Sequence, residues 1–335
     1  MNGAYKFLDT CFSTQANGSK LFPMLSGPPG IGKSQVVRQW AENNGYEMKV
    51  IILSRYGNVD VVGGFVPDME NKVLVHMPTE RLFKNVNGKR TLFFFDEITD
   101  ADPGTITAFQ SFTLDGEIEG VTVDPESLFA FAGNRPEHGT GSKKPSTAFM
   151  DRVAYYEVEF NKDAWCEYMT GRVDPRIIAY VEFDNEAFPT FDGRAKGWKQ
   201  TTPRGYERLS EMLTSNFIPD EKLVCSVIGA KEASRFVSFC QLQGDLISYH
   251  EIIDLKGEYQ TPNSISLQWA MIGNIVYNLG EVTEPDEEEM GYIFKFMSEF
   301  PEEIQSVFCR MVEKYAKPVT DTETYSTYHA SKQNS

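Results

Sequence analysis

The 335-residue chain is poor in the residues that build metal cages and disulfide frameworks, and it holds no C-x-x-C pair. Its five cysteines, Cys11, Cys166, Cys225, Cys240 and Cys309, are scattered, which argues against a zinc knuckle and fits reduced, buried thiols. The four histidines, His76, His138, His250 and His329, do not cluster either, which argues against a histidine metal cage. No stretch is long and apolar enough to span a membrane, and the first twenty residues lack a sustained apolar run. A cytoplasmic location is expected. Basic residues are also short, 32 against 48 acidic, giving a net charge of −16. Such a surface repels the phosphate backbone, so a large nonspecific DNA-binding face is not expected, although a local basic groove is compatible with it.

What the sequence does hold is an alternation of short apolar runs with helical patterns in its first half. Phe22–Ser26, Met48–Ser54, Thr91–Phe95, Leu128–Ala132 and Val153–Phe160 read as strands. Thr91–Phe95 is apolar at almost every position, as a strand covered on both faces should be. Strands separated by helices imply an α/β fold with a mostly parallel sheet and right-handed crossovers. Two regions interrupt the rhythm. Residues 56–86 read as loop and hairpin, and residues 115–125 as a tight β-hairpin. From about residue 161 the pattern turns helical. Helices are expected over residues 163–170, 175–182, 203–215, 219–244 with a break near Gly229, 263–279, 286–300 and 302–315. The Thr-, Ser- and Tyr-rich residues 318–335 read as a flexible tail.

The first chemical signal is Gly27-Pro28-Pro29-Gly30-Ile31-Gly32-Lys33-Ser34, which matches G-x-x-x-x-G-K-[ST] at every fixed position, between a strand and a helix. Glycines let successive backbone N–H groups close on phosphate oxygens, and the following helix points its positive end at them. Lys33 should reach the β- and γ-phosphates and Ser34 should ligate Mg²⁺. The second signal is the apolar strand from Thr91 that ends in Asp96-Glu97. Asp96 is expected to hold Mg²⁺ through water and Glu97 to polarise the attacking water. Three further candidates are weaker from spacing alone. Asn134 follows a strand and can orient water beside the γ-phosphate, or simply form a turn with Gly133. Arg152, in Asp151-Arg152 before the last strand, can reach a neighbour's phosphate in trans, or sit in a surface ion pair. Arg204, opening a helix in Thr202-Pro203-Arg204-Gly205, can fold onto the phosphates or lie in solvent.

In this order the segments GPPGIGKS, FFFDEITDADPGTITAFQSFTLDG, FAGNRP, FMDRV and TTPRGYERLSEML resemble the AAA+ ATPases over about residues 20–215. More narrowly they are similar to the MoxR and dynein-related branch, with its CbbQ/NorQ-type activators and its phage and prophage members. The resemblance implies a P-loop NTPase three-layer sandwich over residues 1–160. It further implies an α-helical lid over residues 161–260; the helices of residues 261–317 would form a C-terminal extension. It makes Asn134 sensor 1, Arg152 an arginine finger and Arg204 the sensor 2 arginine. Residues 62–78 become the helix-2 insert and residues 116–123 the pre-sensor-1 hairpin. It implies ATP and Mg²⁺ as ligands and a homo-oligomeric, usually hexameric, ring with ATP between subunits. The ring would remodel a protein partner, often one with a von Willebrand A domain. Two positions depart from the pattern. Val153 follows Arg152 where many relatives carry an aromatic residue, and Asn134 is followed by Arg135, a rival for a phosphate-facing role.

Three functions remain in view. The first is a ring-forming ATPase that remodels a partner, with Phe65 and Val66 in the first insertion either gripping a polypeptide or packing under their loop. The second is a nucleic-acid motor, loader or defence ATPase, for which Lys143-Lys144-Pro145 is the most suggestive basic cluster. The third is a non-hydrolysing nucleotide switch, against which Glu97 argues.

Overall fold

A computed structural model describes residues 2–57, 64–77, 84–115, 124–135, 144–188, 199–213, 219–242 and 247–333. The described residues through Phe160 form one compact unit and those from Asn161 onward a second.

In the first unit, α1 (Asn2–Ala16) leads into β1 (Phe22–Ser26), then α2 (Lys33–Asn43) and β2 (Glu47–Ile52). An antiparallel hairpin follows, β3 (Gly64–Asp68) and β4 (Val73–Met77). Next come β5 (Thr91–Asp96), α3 (Pro103–Asp115), β6 (Leu128–Gly133), the short α4 (Thr147–Met150) and β7 (Val153–Glu157). The five main strands form one parallel sheet in the order β2-β5-β6-β1-β7.

Alternation along the strands splits the core into two layers. Phe93 and Phe95 of β5 join Phe129 and Phe131 of β6 against Phe109 and Phe112 of α3. Leu92 and Phe94, with Leu25, Ala130 and Ala132, pack against Leu8 and Phe12 of α1 and Val37 and Trp40 of α2. The expected three-layer α/β sandwich with a parallel sheet is present. Helix α1, which no sequence pattern announced, is fixed by a buried amide. Gln15 Nε2 donates to the carbonyls of Leu21 and Phe129 at 3.0 and 2.8 Å, and its Oε1 accepts from the Phe129 N–H at 3.0 Å.

The second unit is helical: α5 (Lys162–Met169), α6 (Pro175–Phe183), α7 (Pro203–Met212), α8 (Glu221–Ile228), α9 (Ala230–Leu242) and α10 (Tyr249–Asp254). These are followed by α11 (Ile265–Glu281), α12 (Glu287–Met297), α13 (Glu302–Tyr315), α14 (Lys317–Thr320) and α15 (Glu323–Gln333). Gly229, at φ 82°, makes the break between α8 and α9. A division near residue 260 is absent from the described residues. Helix α11 is buried along most of its length and packs on α6, α9 and α13, so the expected lid and extension share one core.

The expected flexible tail is instead helical. Tyr325 and Tyr328 of α15 are buried, and Tyr328 stacks on Phe294 with ring centroids 5.0 Å apart. The Glu287 carboxylate accepts the Glu323 and Thr324 N–H groups at 2.9 and 3.1 Å, closing the start of α15. Polar composition concealed two aromatic anchors three residues apart on one helix face.

Of the expected first insertion, residues 64–77 form the β3–β4 hairpin. Val66 is 50% and Leu74 67% exposed, so Val66 does not pack beneath its own loop. The Phe65 side chain, residues 116–123 and Lys143 lie outside the described residues; Lys144 is exposed.

Candidate nucleotide site

The candidate site forms where β1, β5 and β6 end. Gly30 and Gly32 hold φ of 76° and 99°, conformations that favour glycine. A Cβ at Gly27 would lie 2.8 Å from the Val158 carbonyl oxygen, so the turn out of β1 also needs glycine for space. Helix α2 begins at Lys33, which places its free N–H groups at this turn.

Lys33 is buried, and its ammonium donates to the Gly27 carbonyl (2.7 Å), the Pro28 carbonyl (3.0 Å) and Asn134 Oδ1 (2.9 Å). The Ser34 hydroxyl donates to Asp96 Oδ2 at 3.0 Å, and Asp96 Oδ1 accepts the Glu97 N–H at 2.9 Å. A hydroxyl and a carboxylate side by side are hard oxygen donors of the kind Mg²⁺ takes when phosphates and water complete its shell. The residues present therefore fit a nucleotide–Mg²⁺ complex.

Glu97 follows β5 in a left-handed conformation, φ 58° and ψ 35°. For a residue with a Cβ this is a strained backbone, and such strain concentrates at functional sites. Its carboxylate accepts a short hydrogen bond from the Ser54 hydroxyl. Ser54 lies in a 3₁₀ turn directly after β2, the strand paired with β5. Asn134 is fixed from below, because its N–H donates to Thr99 Oγ1 at 3.0 Å. Thr99 is buried, and a Cβ at Gly133 would meet its Cγ2 at 2.6 Å.

The structure thus brings together Lys33, Ser34, Asp96, Glu97 and Asn134. It does not bring Arg152 to them. The adjacent Val153 pairs with Phe22, whereas the phosphate loop starts after Ser26, which pairs with Glu157. Arg152 lies at the opposite end of β7, roughly 13 Å away along the strand. Arg204 is exposed in the first turn of α7, in the second unit, where Thr202 Oγ1 caps the helix by accepting the Gly205 N–H at 3.1 Å. Arg135 is bound to β7: its Nε donates to Tyr155 Oη at 3.2 Å and its Nη2 makes a short ion pair with Glu157. Sequence reasoning missed Ser54 and Thr99. Ser54 closed the expected second strand, but its relation to Glu97 depends on strand order, which local pattern does not encode.

Residues 23–153 match the family model of the AAA domain (dynein-related subfamily). No curated protein matches the chain. Among solved structures, the chain is similar to the RuvB Holliday junction branch migration motor of Thermotoga maritima. Identity is 14%, with 96% of this chain and 86% of that chain covered and a TM-score of 0.35. It is also similar to NtrX from Brucella abortus in complex with ADP, at 13% identity, covering 92% and 67%, with a TM-score of 0.39.

Proposed function

We propose that this chain hydrolyses ATP with Mg²⁺ and works as a ring-forming remodeller of a partner protein, in the manner of the MoxR branch and its phage-encoded members. The observation that carries the hydrolase reading is the convergence of Lys33, Ser34, Asp96 and Asn134 within hydrogen-bond distance, with Glu97 adjoining them. The loop N–H groups and the start of α2 bind the phosphates, and Lys33 turns from its carbonyl partners to their oxygens. Ser34 and Asp96 would hold the metal, which screens the phosphate charge and orients it for attack. Glu97 leaves Ser54 to accept a hydrogen bond from the attacking water, and Asn134 fixes that water in line. Arg204 from the helical unit and Arg152 from a neighbouring subunit neutralise the charge that develops on the transferred group.

The ring and partner readings rest on the resemblance and on two observations. Arg152 is far from its own loop, as a residue acting in trans should be. The β3–β4 hairpin also exposes Val66, Val73, Leu74 and Val75, apolar groups open to a partner such as a von Willebrand A domain protein.

Phosphate release and nucleotide affinity test the chemistry. Glu97→Gln should bind ATP as wild type does and lose turnover by roughly 10²–10⁴-fold. Lys33→Ala should lose affinity itself; unchanged affinity would contradict the phosphate-loop assignment. Capture from the native cell by ATP-bound Glu97→Gln, with Lys33→Ala as control, then tests the partner. A discrete protein held only by the trap supports remodelling, and retained nucleic acid refutes it in favour of a nucleic-acid motor.

A further inference from the structure

We propose that Arg135 is a positioning residue, which fixes Asn134 over the phosphate loop by clasping Glu157 across the end of β1. The proposal rests on the hydrolase reading, because it assigns Arg135 a part in that reaction.

The sheet register carries the argument. Ser26, the last residue of β1 before the phosphate loop, is paired with Gly133 of β6 on one side and Glu157 of β7 on the other. Two strand spacings, roughly 10 Å, separate those flanking positions. The Arg135 side chain crosses that gap, with Nε on Tyr155 and Nη2 on Glu157. Tyr155 and Glu157 are two apart on β7 and so share one face, which gives the guanidinium two anchors rather than one. On the other side, Thr99 holds the Asn134 N–H. Asn134 therefore stands between two tethers, one from the turn after β5 and one to β7, while its Oδ1 meets Lys33.

This arrangement suits placement better than stability. Arg135 and Glu157 side chains are 35% and 44% exposed, and an ion pair so wet adds little to folding. Placement is where it matters, because a small displacement of a group that orients a reactant costs rate steeply. The clasp also bears on the rival reading of Arg135: an arginine that serves a phosphate directly has to give up its contacts with Glu157 and Tyr155.

The test is a double-mutant cycle in the full chain, read by turnover, nucleotide affinity and melting. Arg135→Gln and Glu157→Gln should each lower kcat by roughly tenfold or more, with nucleotide affinity and Tm close to wild type. The double variant should be no slower than the slower single, since the pair acts as a unit. In an Asn134→Ala background, Glu157→Gln should cost nothing further. Losses that multiply in the double variant, or persist without Asn134, overturn the proposal. So does a fully active Glu157→Gln beside a dead or weak-binding Arg135→Gln, which would place Arg135 on the phosphate. Absence of turnover in the wild type would refute the hydrolase reading and the positioning role with it, whereas an active wild type with fully active single variants refutes the positioning role alone.

Discussion

Glu97 and Gly133 show how individual backbone positions shape the candidate site. At φ 58°, Glu97 occupies a region that costs a residue with a Cβ roughly 1–2 kcal/mol. Both Gly and Ala lose the Ser54 hydrogen bond, but Gly relieves the strain whereas Ala keeps it. Denaturant unfolding should therefore find Glu97→Gly about 1 kcal/mol more stable than Glu97→Ala, the reverse of the usual order, with turnover lost in both. An Ala variant as stable as the Gly variant would mean the left-handed turn is not strained. Gly133→Ala should push Thr99 aside and release the Asn134 N–H, costing about 1–3 kcal/mol by overpacking and most of the turnover. Adding Thr99→Ser removes the methyl at 2.6 Å and keeps the hydroxyl at 2.9 Å, so it should restore part of both; no recovery would show that the methyl is not the cause. Lys33-Ser34 and Asp96-Glu97 were legible in the sequence as site candidates because the proposed phosphate and metal chemistry calls for those types at short, fixed spacings. Ser54 and Thr99 were not, since each meets its partner through neighbouring strands rather than through sequence distance.

Elements were legible where periodicity was strong. The strand expected at Phe22–Ser26 and the helix expected over residues 302–315 have those bounds in the structure. The second strand instead stops at Ile52 and turns into the 3₁₀ segment that presents Ser54. Helices α1 and α15 were illegible for a common reason: each is held by side chains acting on distant backbone, Gln15 on β6 and Glu287 on the start of α15. The α15 contact makes a pH prediction. Hydrogen bonds from the Thr324 side chain and then the Glu323 and Thr324 backbone hold the Glu287 carboxyl below its ordinary 4.5. The folded value is depressed, so the contact contributes in full above the ordinary value and is lost as pH falls through the lower one. Amide exchange corrected for intrinsic rate should show α15 protection falling below about pH 4.5 in the wild type. Glu287→Gln should already show roughly two- to fivefold lower protection at pH 7, with a flatter pH response. Equal protection in the two proteins at pH 7 would mean that the buried Tyr325 and Tyr328 hold α15 without the carboxylate.

At the scale of the whole molecule, the decisive fact is that one chain does not present every proposed catalytic group to its own phosphate loop. Glu157 and Val153 end β7 on opposite sides, and Arg152 lies with Val153, away from Ser26. If Arg152 serves a reaction at all, a second copy must supply it, joined head to tail so that the loop of one subunit faces the arginine of the next. A net charge of −16 opposes close approach of identical acidic surfaces, which gives an arginine at such a contact both an electrostatic and a chemical role. Subunit mixing tests this directly. Lys33→Ala lacks a working loop but keeps Arg152; Arg152→Ala keeps its loop but has no arginine to give. Each should be inactive alone. In an equimolar assembly, a contact is competent when the Arg152→Ala chain provides the loop and the Lys33→Ala chain the arginine, so turnover should recover to roughly a quarter of wild type if contacts fire independently. Full activity of Arg152→Ala alone would remove it from the reaction. A mixture that assembles, as judged by sedimentation, yet stays inactive would show that Arg152 does not act across subunits, and with it would fall the strongest structural support for a ring.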